Sequence, residues 1–409
     1  MINVAILGYG TVGSGVYEVL TKNAESIKKK AGDEIRVKYI LDIRDFSDAP
    51  NAHLFTKDFN DILNDPEVSI VAEVIGGIKP SYDFTKAALM AGKSVVTSNK
   101  ELVANKGYEL LKIAKDKGIS YLFEASVGGG IPIIRPMHQC LAANEIEEIT
   151  GILNGTTNYI LTKMINEHLS FDEVLKDAQK KGYAEANPDA DVLGIDACRK
   201  IAILSSLAFS MQVSPDKIHT EGITGISLTD VQYAKATSSV IKLLGRSVLN
   251  SDGTVSVLVA PFIISSSNPL ANVDDVFNAI LVKGDSIGDV MFYGRGAGKL
   301  PTASAVVADI IDASKGRRDI FWGEVDYENV RDFNTYEHEF YVRTTDASVD
   351  MKAAVYSIFG TVKRIVREDM PAGEYTFLTK SFSEEQMKEN IDKLSASGCC
   401  KVGSVIRVL

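Results

Sequence analysis

"INVAILGYGTVG" (residues 2–13) decides the fold. An apolar, strand-compatible run over 2–7 feeds directly into Gly8-x-Gly10-x-x-Gly13, and helix-compatible sequence continues from Ser14 to about Lys30. A strand leading through G-x-G-x-x-G into a helix is the opening of a dinucleotide-binding βαβ unit. Gly8 permits the tight turn, Gly10 lets the backbone reach a pyrophosphate, and Gly13 lets helix and strand pack closely. The pyrophosphate then rests on the helix N-terminus, where backbone N–H groups lack partners and the dipole favours an anion. The motif by itself is weak; its place between strand and helix gives it weight.

Further apolar strands are expected at "IRVKYIL" (35–41), "SIVAEVI" (69–75), "KSVVTSN" (93–99) and "ISYLFEA" (119–125), with helical patterns at 81–92 and 107–118. Strands alternating with helices imply right-handed βαβ crossovers and a parallel sheet covered on both faces. Residues 1–132 therefore read as a doubly wound, Rossmann-type α/β domain, completed by a helix near 300–316 within "GRGAGKLPTASAVVADIIDASKG". After "SVGGGIP" (126–132) helical segments dominate 157–210, and β-rich runs follow at 254–264 and 277–284. This is the pattern of an α+β catalytic and dimerisation domain over 133–320. The stretch 316–336 reads as a linker. From 337 to 409 the order is strand (338–344), helix (349–359), strand (361–367), strand (374–380), helix (383–397) and strand (401–408), a small ferredoxin-like βαββαβ domain.

Bulk properties narrow the function classes. The chain has 409 residues, 45% apolar and 24% charged, as soluble globular proteins do. Its net charge is −10, with no Lys/Arg-rich block carrying interleaved aromatics, so nucleic acid is not an expected partner. No apolar run approaches the ~20 residues that span a bilayer, so no membrane partner is expected. "MINVAILGYG" moves straight into a strand without a basic leader, which is read as cytoplasmic. The four cysteines (Cys140, Cys198, Cys399, Cys400) form no CxxC, so neither zinc nor a disulfide framework is suggested.

Several residues carry candidate chemistry. The second strand ends in "LDIRD": Asp42 would accept a bond from a ribose hydroxyl and favour NAD, whereas Arg44 would clamp a 2′-phosphate and favour NADP. Lys57 is a second phosphate candidate, set against an ordinary surface charge. The reading favours NADP, with NAD the alternative. Lys100 in "VVTSNK" stands at the carboxyl end of a parallel strand, where ligands sit in open α/β sheets; a solvent-facing lysine at a helix start is the competing account. Glu124 and the backbone carbonyls of "FEASVGGGIP" (123–132) offer oxygen ligands for a hard cation, against a plain turn.

"YAEANPDADVLGIDACRK" (183–200) packs Glu185, Asp189, Asp191 and Asp196 ahead of Arg199 and Lys200. On a helix over 191–205, Asp196 and Lys200 share one face. A crowded, partly buried lysine has its proton affinity drawn toward the working range, and the carboxylates would hold a substrate's ammonium or hydroxyl. The bland alternative is an exposed helix salt bridge worth about 0.3–0.5 kcal/mol. Two dinucleotide chemistries fit. An aldehyde-oxidising, acyl-forming dehydrogenase needs an activated cysteine, and neither Cys140 nor Cys198 has a local histidine partner in the pattern. A carbonyl reductase needs only hydride and a proton donor, the role that suits Lys200. A non-catalytic nucleotide or amino-acid sensor on the same fold is the third reading.

Seven motifs then fall in one order: "GYGTVGSGV", "EVIGG", "VVTSNK", "FEASVGGGIPIIRP", "GILNGTTNYILTKM", "GYAEANPDADVLGIDACRKIAIL" and "FYGRGAGKLPTASAVVAD". Together they resemble homoserine dehydrogenases of the monofunctional kind with a C-terminal ACT domain, densely over residues 1–320. The resemblance implies reversible, NAD(P)H-dependent reduction of L-aspartate 4-semialdehyde to L-homoserine, on the route to threonine, methionine and isoleucine. It implies that Gly10, Thr11 and Val12 bind the pyrophosphate and that Arg44 and Lys57 engage a 2′-phosphate. It places Lys100 where nicotinamide and substrate meet, and Gly182, Glu185 and Gly298 around cofactor and substrate. Asp196 would hold the substrate amino group, Asp191 would support Lys200 or the substrate, and Lys200 would be the proton donor. A monovalent cation, sodium, would sit on Glu124 and the carbonyls of Val127, Gly129 and Ile131. A homodimer or homotetramer is implied. Asn187 stands where the family has a carboxylate before the proline. "RTTDASVDMKAAV" (343–355) lacks the proline and glycine of the D-x-P-G-like turn in effector-binding ACT domains. This sets oligomerisation beside threonine binding as the expected role of the terminal domain.

Overall fold

The computed structural model describes residues 1–317, 320–325 and 329–409, and the chain divides into two compact units. The first comprises Met1–Glu147, Ala202–Pro215 and Val282–Tyr327; the second comprises Glu148–Ile201, Asp216–Leu281 and Glu328–Leu409. The units therefore do not follow the expected limits at 132/133 and 320/337. Excursions of the chain return to the first unit, and the C-terminal strands continue the sheet of the second. Among the described residues no helix is long and apolar enough to cross a membrane.

The first unit is built on β1 (Ile2–Leu7), β2 (Ile35–Leu41), β3 (Phe55–Thr56), β4 (Val68–Glu73), β5 (Ser94–Thr97) and β6 (Tyr121–Leu122). Their spatial order is β3-β2-β1-β4-β5-β6 and every pairing is parallel. That order is the doubly wound dinucleotide-binding one, reversing at β1 and β4. Near-continuous apolar runs in β1 and β4 are what a sheet covered on both faces requires, and Val4–Leu7 and Ile70–Ala72 are buried. One face packs on helix Lys299–Ser314, whose Ala303, Val306, Val307 and Ile310 join Val4, Ile6 and Val96 in one core. The stretch read as a linker over 316–336 includes residues 318, 319 and 326–328, which lie outside the described residues. Among its described residues, Gly323–Val325 is a strand, and Trp322 is 1% exposed against helix Lys100–Lys117. Gly107 makes room there, since a Cβ at that position would lie 2.4 Å from the indole.

In the second unit, long strands Ser239–Leu249 and Val255–Ser265 pair antiparallel over their full lengths. The first also pairs with residues 148–151, and the second runs parallel with Lys401–Val408. Residues 337–409 form strand Glu337–Thr345, helix Met351–Phe359, strands Lys363–Ile365 and Tyr375–Leu378, helix Glu384–Ala396 and strand Lys401–Val408. The first strand pairs antiparallel with the last and with Tyr375–Leu378, which in turn pairs with Lys363–Ile365. This is a ferredoxin-like βαββαβ sheet, joined to the rest of the unit through its last strand. Buried Asp230 anchors it, accepting bonds from Arg343 (2.7 Å), Tyr341 (3.2 Å) and Ser404 (2.8 Å).

Candidate active site

In the first unit, three strand ends converge. After β1 the chain turns at Gly8, whose φ of +94° lies in the region that favours glycine. Helix α1 (Thr11–Lys22) follows. A Cβ on Gly13 would fall 1.9 Å from the Gly8 carbonyl oxygen, whereas one on Gly10 would meet nothing within 4 Å. Gly13 thus sets the close packing and Gly10 leaves open space before the helix. No side chain caps α1 at Gly10, and its first turn carries no acid, so the N–H groups of its opening turn, at Thr11, Val12 and Gly13, remain for an anion. The nucleotide's pyrophosphate fits this cradle.

At the end of β2, the Asp42 carboxylate accepts from the Tyr9 N–H (2.7 Å) and from Arg44 through Nε (3.0 Å) and Nη2 (2.9 Å). The Arg44 guanidinium, with burial opposing it, holds the Asp42 carboxyl down at about 2. Arg44 also lies over the Phe46 ring, 5.1 Å from its centroid, and its side chain is 56% exposed. Lys57 is exposed nearby in sequence. After β4 and β5, buried Glu73 accepts from the Ile75 N–H (2.9 Å) and from Thr97 Oγ1 (2.8 Å). Asn99 then donates to the Gly77 carbonyl (2.6 Å) and caps the Leu102 N–H (3.0 Å). This sequence of bonds places Lys100 as the first residue of its helix, half-buried, at the carboxyl end of the sheet. Gly298, with φ +122°, starts the helix that completes this unit.

Glu124 is 3% exposed, and its carboxylate is committed to backbone. Oε1 accepts from the N–H groups of Ile133 (2.7 Å) and Ile134 (2.9 Å), and Oε2 accepts from Arg135 (2.8 Å). Its own N–H donates to Asp309 (2.8 Å), which also accepts from Arg135 (2.9 Å). Burial, with the Glu124 charge beside it, pushes Asp309 up to about 8. The carbonyls of Val127, Gly129 and Ile131 accept no hydrogen bond among the described residues. Three unspent oxygens in one glycine loop suit a hard cation, with Glu124 shaping the loop.

The second unit holds the acidic motif. Asp191 lies on a short helix, Asp189–Val192, separate from helix Ile195–Ala208 that carries Asp196 and Lys200. The expected single helix over 191–205 is broken at Gly194. Its φ is +82°, and a Cβ there would crowd Thr220 (3.1 Å) and the Glu221 carbonyl (3.2 Å). Lys200 and Asp196 are buried, with side chains 8% and 4% exposed, and Lys200 Nζ lies 2.8 Å from Asp196 Oδ2. The ammonium also donates to the Leu153 carbonyl at 2.7 Å. This removes the surface salt-bridge account. Gly182 (φ +74°) and Glu185 are exposed on the preceding loop, which Gln179 ties down by donating to the Glu185 carbonyl (3.1 Å), and Asp189 is exposed at the start of the short helix.

One member of this cluster escaped the sequence reading. Asn154 donates to Asp191 Oδ1 (2.7 Å) and Asp196 Oδ2 (2.8 Å), while its Oδ1 caps the Thr157 N–H (2.9 Å). "NGTT" carries a helix-cap signal, but no local pattern shows that the amide also bridges residues 37 and 42 positions away. The thiolate reading loses support: Cys198 is buried and its thiol is pushed up by burial, away from the reactive form.

A parallel sheet with an open, uncapped glycine turn, together with a buried lysine–carboxylate pair, defines a nicotinamide-dependent oxidoreductase. Comparison with known proteins makes this specific. Residues 8–124 match the family model described as "Homoserine dehydrogenase, NAD binding domain", and residues 132–311 match "Homoserine dehydrogenase". A homoserine dehydrogenase of Bacillus subtilis is 42% identical over 323 residues, covering 78% of this chain and 74% of the relative. The crystal structure of a homoserine dehydrogenase from Thiobacillus denitrificans superposes with TM-score 0.92 at 37% identity, covering 100% of this chain and 98% of that one. A hyperthermophilic archaeal homoserine dehydrogenase mutant in complex with NADPH has TM-score 0.65 at 28% identity, covering 77% and 98%. The chain belongs to the homoserine dehydrogenase family. It is an NAD(P)-dependent oxidoreductase acting on CH–OH and interconverts homoserine and aspartate 4-semialdehyde.

Proposed function

We propose that the reaction runs on the buried cluster of the second unit, with Lys200 as proton donor to the aldehyde oxygen during reduction. When bound, the reduced nicotinamide supplies the hydride. Asp196 holds the substrate ammonium, Asp191 and Glu185 bind on the substrate side, and Lys100 serves the nicotinamide end of the cofactor. The observation that carries this reading is the 2.8 Å Lys200–Asp196 contact at near-complete burial. A lysine is not buried for surface stability, because its desolvation offsets most of what the pair returns. A buried ammonium that donates to the Asp196 carboxylate and the Leu153 carbonyl can give its proton to a developing alkoxide and regain it in the reverse direction. The test is homoserine-dependent reduction of NADP and of NAD at alkaline pH; no rate with either would overturn the reading.

Gly8, Gly10, Thr11, Val12 and Gly13 cradle the pyrophosphate, with Gly182 and Gly298 on the cofactor's surroundings. Arg44, with Lys57, takes the 2′-phosphate of NADP. Support comes from Asp42, whose oxygens are engaged by Arg44 and Tyr9 rather than offered to ribose hydroxyls, while the arginine stacks outward on Phe46. Arg44→Ala is expected to raise the KM for NADPH by roughly 10- to 100-fold, the worth of a charged hydrogen bond, and to leave that for NADH within about twofold. Initial rates with each nucleotide decide it.

Sodium is the proposed cation, held by the carbonyls of Val127, Gly129 and Ile131 beside Glu124. Exchanging sodium for choline in the rate assay tests it. The 337–409 domain is proposed as an ACT-like module that assembles a homodimer or homotetramer. Threonine is the effector to add in the same assay, since the 346–350 turn lacks the proline and glycine of effector-binding turns.

A further inference from the structure

We propose that Asn154 is a positioning residue for this reaction: its side-chain amide holds the Asp191 and Asp196 carboxylates in register around Lys200. The inference rests on the roles proposed for Lys200 and Asp196. Asn154 is 5% exposed and stands immediately before helix Gly155–Glu167. Its Nδ2 reaches Asp191 Oδ1 at 2.7 Å and Asp196 Oδ2 at 2.8 Å. Its Oδ1 accepts from the Thr157 N–H at 2.9 Å and from Thr157 Oγ1 at 3.1 Å. This fixes the amide orientation, because the opposite one would set its oxygen against two carboxylates and its nitrogen against an N–H.

Three consequences follow from the geometry. Asp191 and Asp196 sit on different helices, separated by the Gly194 break, and an amide with two N–H groups is the neutral side chain that can join two like charges. Asp196 Oδ2 is shared by Asn154 Nδ2 and Lys200 Nζ, both at 2.8 Å. One oxygen thus ties the amide and the ammonium to a common point. Finally, Leu153 accepts from Lys200 at 2.7 Å, so two successive residues hold the acid and the lysine from the same turn. A residue serving only as a helix cap would use its oxygen and leave its nitrogen to solvent.

Asn154→Ser and Asn154→Thr both keep an acceptor for the Thr157 N–H and both remove the two-donor amide. In the full chain, each is expected to lower kcat/KM for homoserine at least about tenfold, the loss of one charge-assisted bond, with KM raised as well as kcat lowered. NADPH binding and melting temperature should stay near the parent's. Parent-like constants in both variants would overturn the inference. So would a fall in rate that follows the folded fraction with KM unchanged, the mark of a purely structural cap. If the Ser variant does not fold, the Thr variant decides. Lys200→Met is run beside them. Turnover retained there would sink the Lys200 reading itself, whereas an inactive Lys200→Met with parent-like Asn154 variants would sink only the role of Asn154.

Discussion

Lys200→Met should abolish most turnover, lowering kcat by roughly 10²- to 10⁴-fold, the range for a positioned general acid, while NADPH binding changes little. Methionine matches the length of the lysine stem and is at home in a buried site, so packing is largely kept. What it removes is the proton and, with it, bonds that include those to Asp196 Oδ2 (2.8 Å) and the Leu153 carbonyl (2.7 Å). Asp196 does not become solitary, because Asn154 still donates to it at 2.8 Å. The fold should therefore survive a change that would otherwise strand a buried carboxylate. Stopped-flow mixing of NADPH-loaded variant with the semialdehyde reads the chemical step; cofactor fluorescence titration reads binding. Turnover within about tenfold of the parent would place the proton donor elsewhere.

The dinucleotide half was readable because its chemistry is local. Strand, G-x-G-x-x-G and helix are contiguous, and the conflict at Gly13 is with Gly8, five residues away. The parallel order then follows from the alternation of apolar runs and helices. The site in the second unit was readable only in part. Asp196 and Lys200 are one helical turn apart, so their meeting is a matter of period. Their burial is not, since the groups they bond on the Leu153–Asn154 turn lie 42 and 47 residues away. Strand Ser239–Leu249 was hidden for a related reason. Lys242, Gly245 and Arg246 interrupt its apolar pattern. Yet Lys242 is fully buried, with Nζ bonded to the Val273 carbonyl (2.6 Å) and Asn158 (3.1 Å). Partners 31 and 84 residues distant leave no trace in a local window. The same holds for Glu124, whose three backbone donors lie 9, 10 and 11 residues further along the chain.

Glu124→Ala should be the most destabilising of these changes, by about 3–5 kcal/mol, as for removing one member of a buried charged network. The carboxylate satisfies three successive N–H groups, of Ile133, Ile134 and Arg135, and alanine would leave all three buried without an acceptor. A melting-temperature drop on the order of 10 °C is the expected reading. Glutamine offers one acceptor oxygen and sets its NH₂ against an N–H, so Glu124→Gln should recover only part of the loss. The charge has a second consequence through Asp309, which burial first and the Glu124 carboxylate next push up to about 8. A carboxyl that binds its proton more tightly folded than unfolded contributes stability at low pH, and this is lost as pH rises toward 8. Removing the Glu124 charge lowers the Asp309 value and narrows that window. Glu124→Gln should therefore lose less of its stability between pH 6 and pH 9 than the parent does, even though its absolute stability is lower. Sodium separates the two functions of the loop. If the cation rests on the carbonyls of Val127, Gly129 and Ile131, saturating sodium raises the parent's melting temperature but cannot supply the acceptors that Glu124→Ala lacks. Full recovery of that variant by sodium would mean that the carboxylate served the ion rather than the backbone.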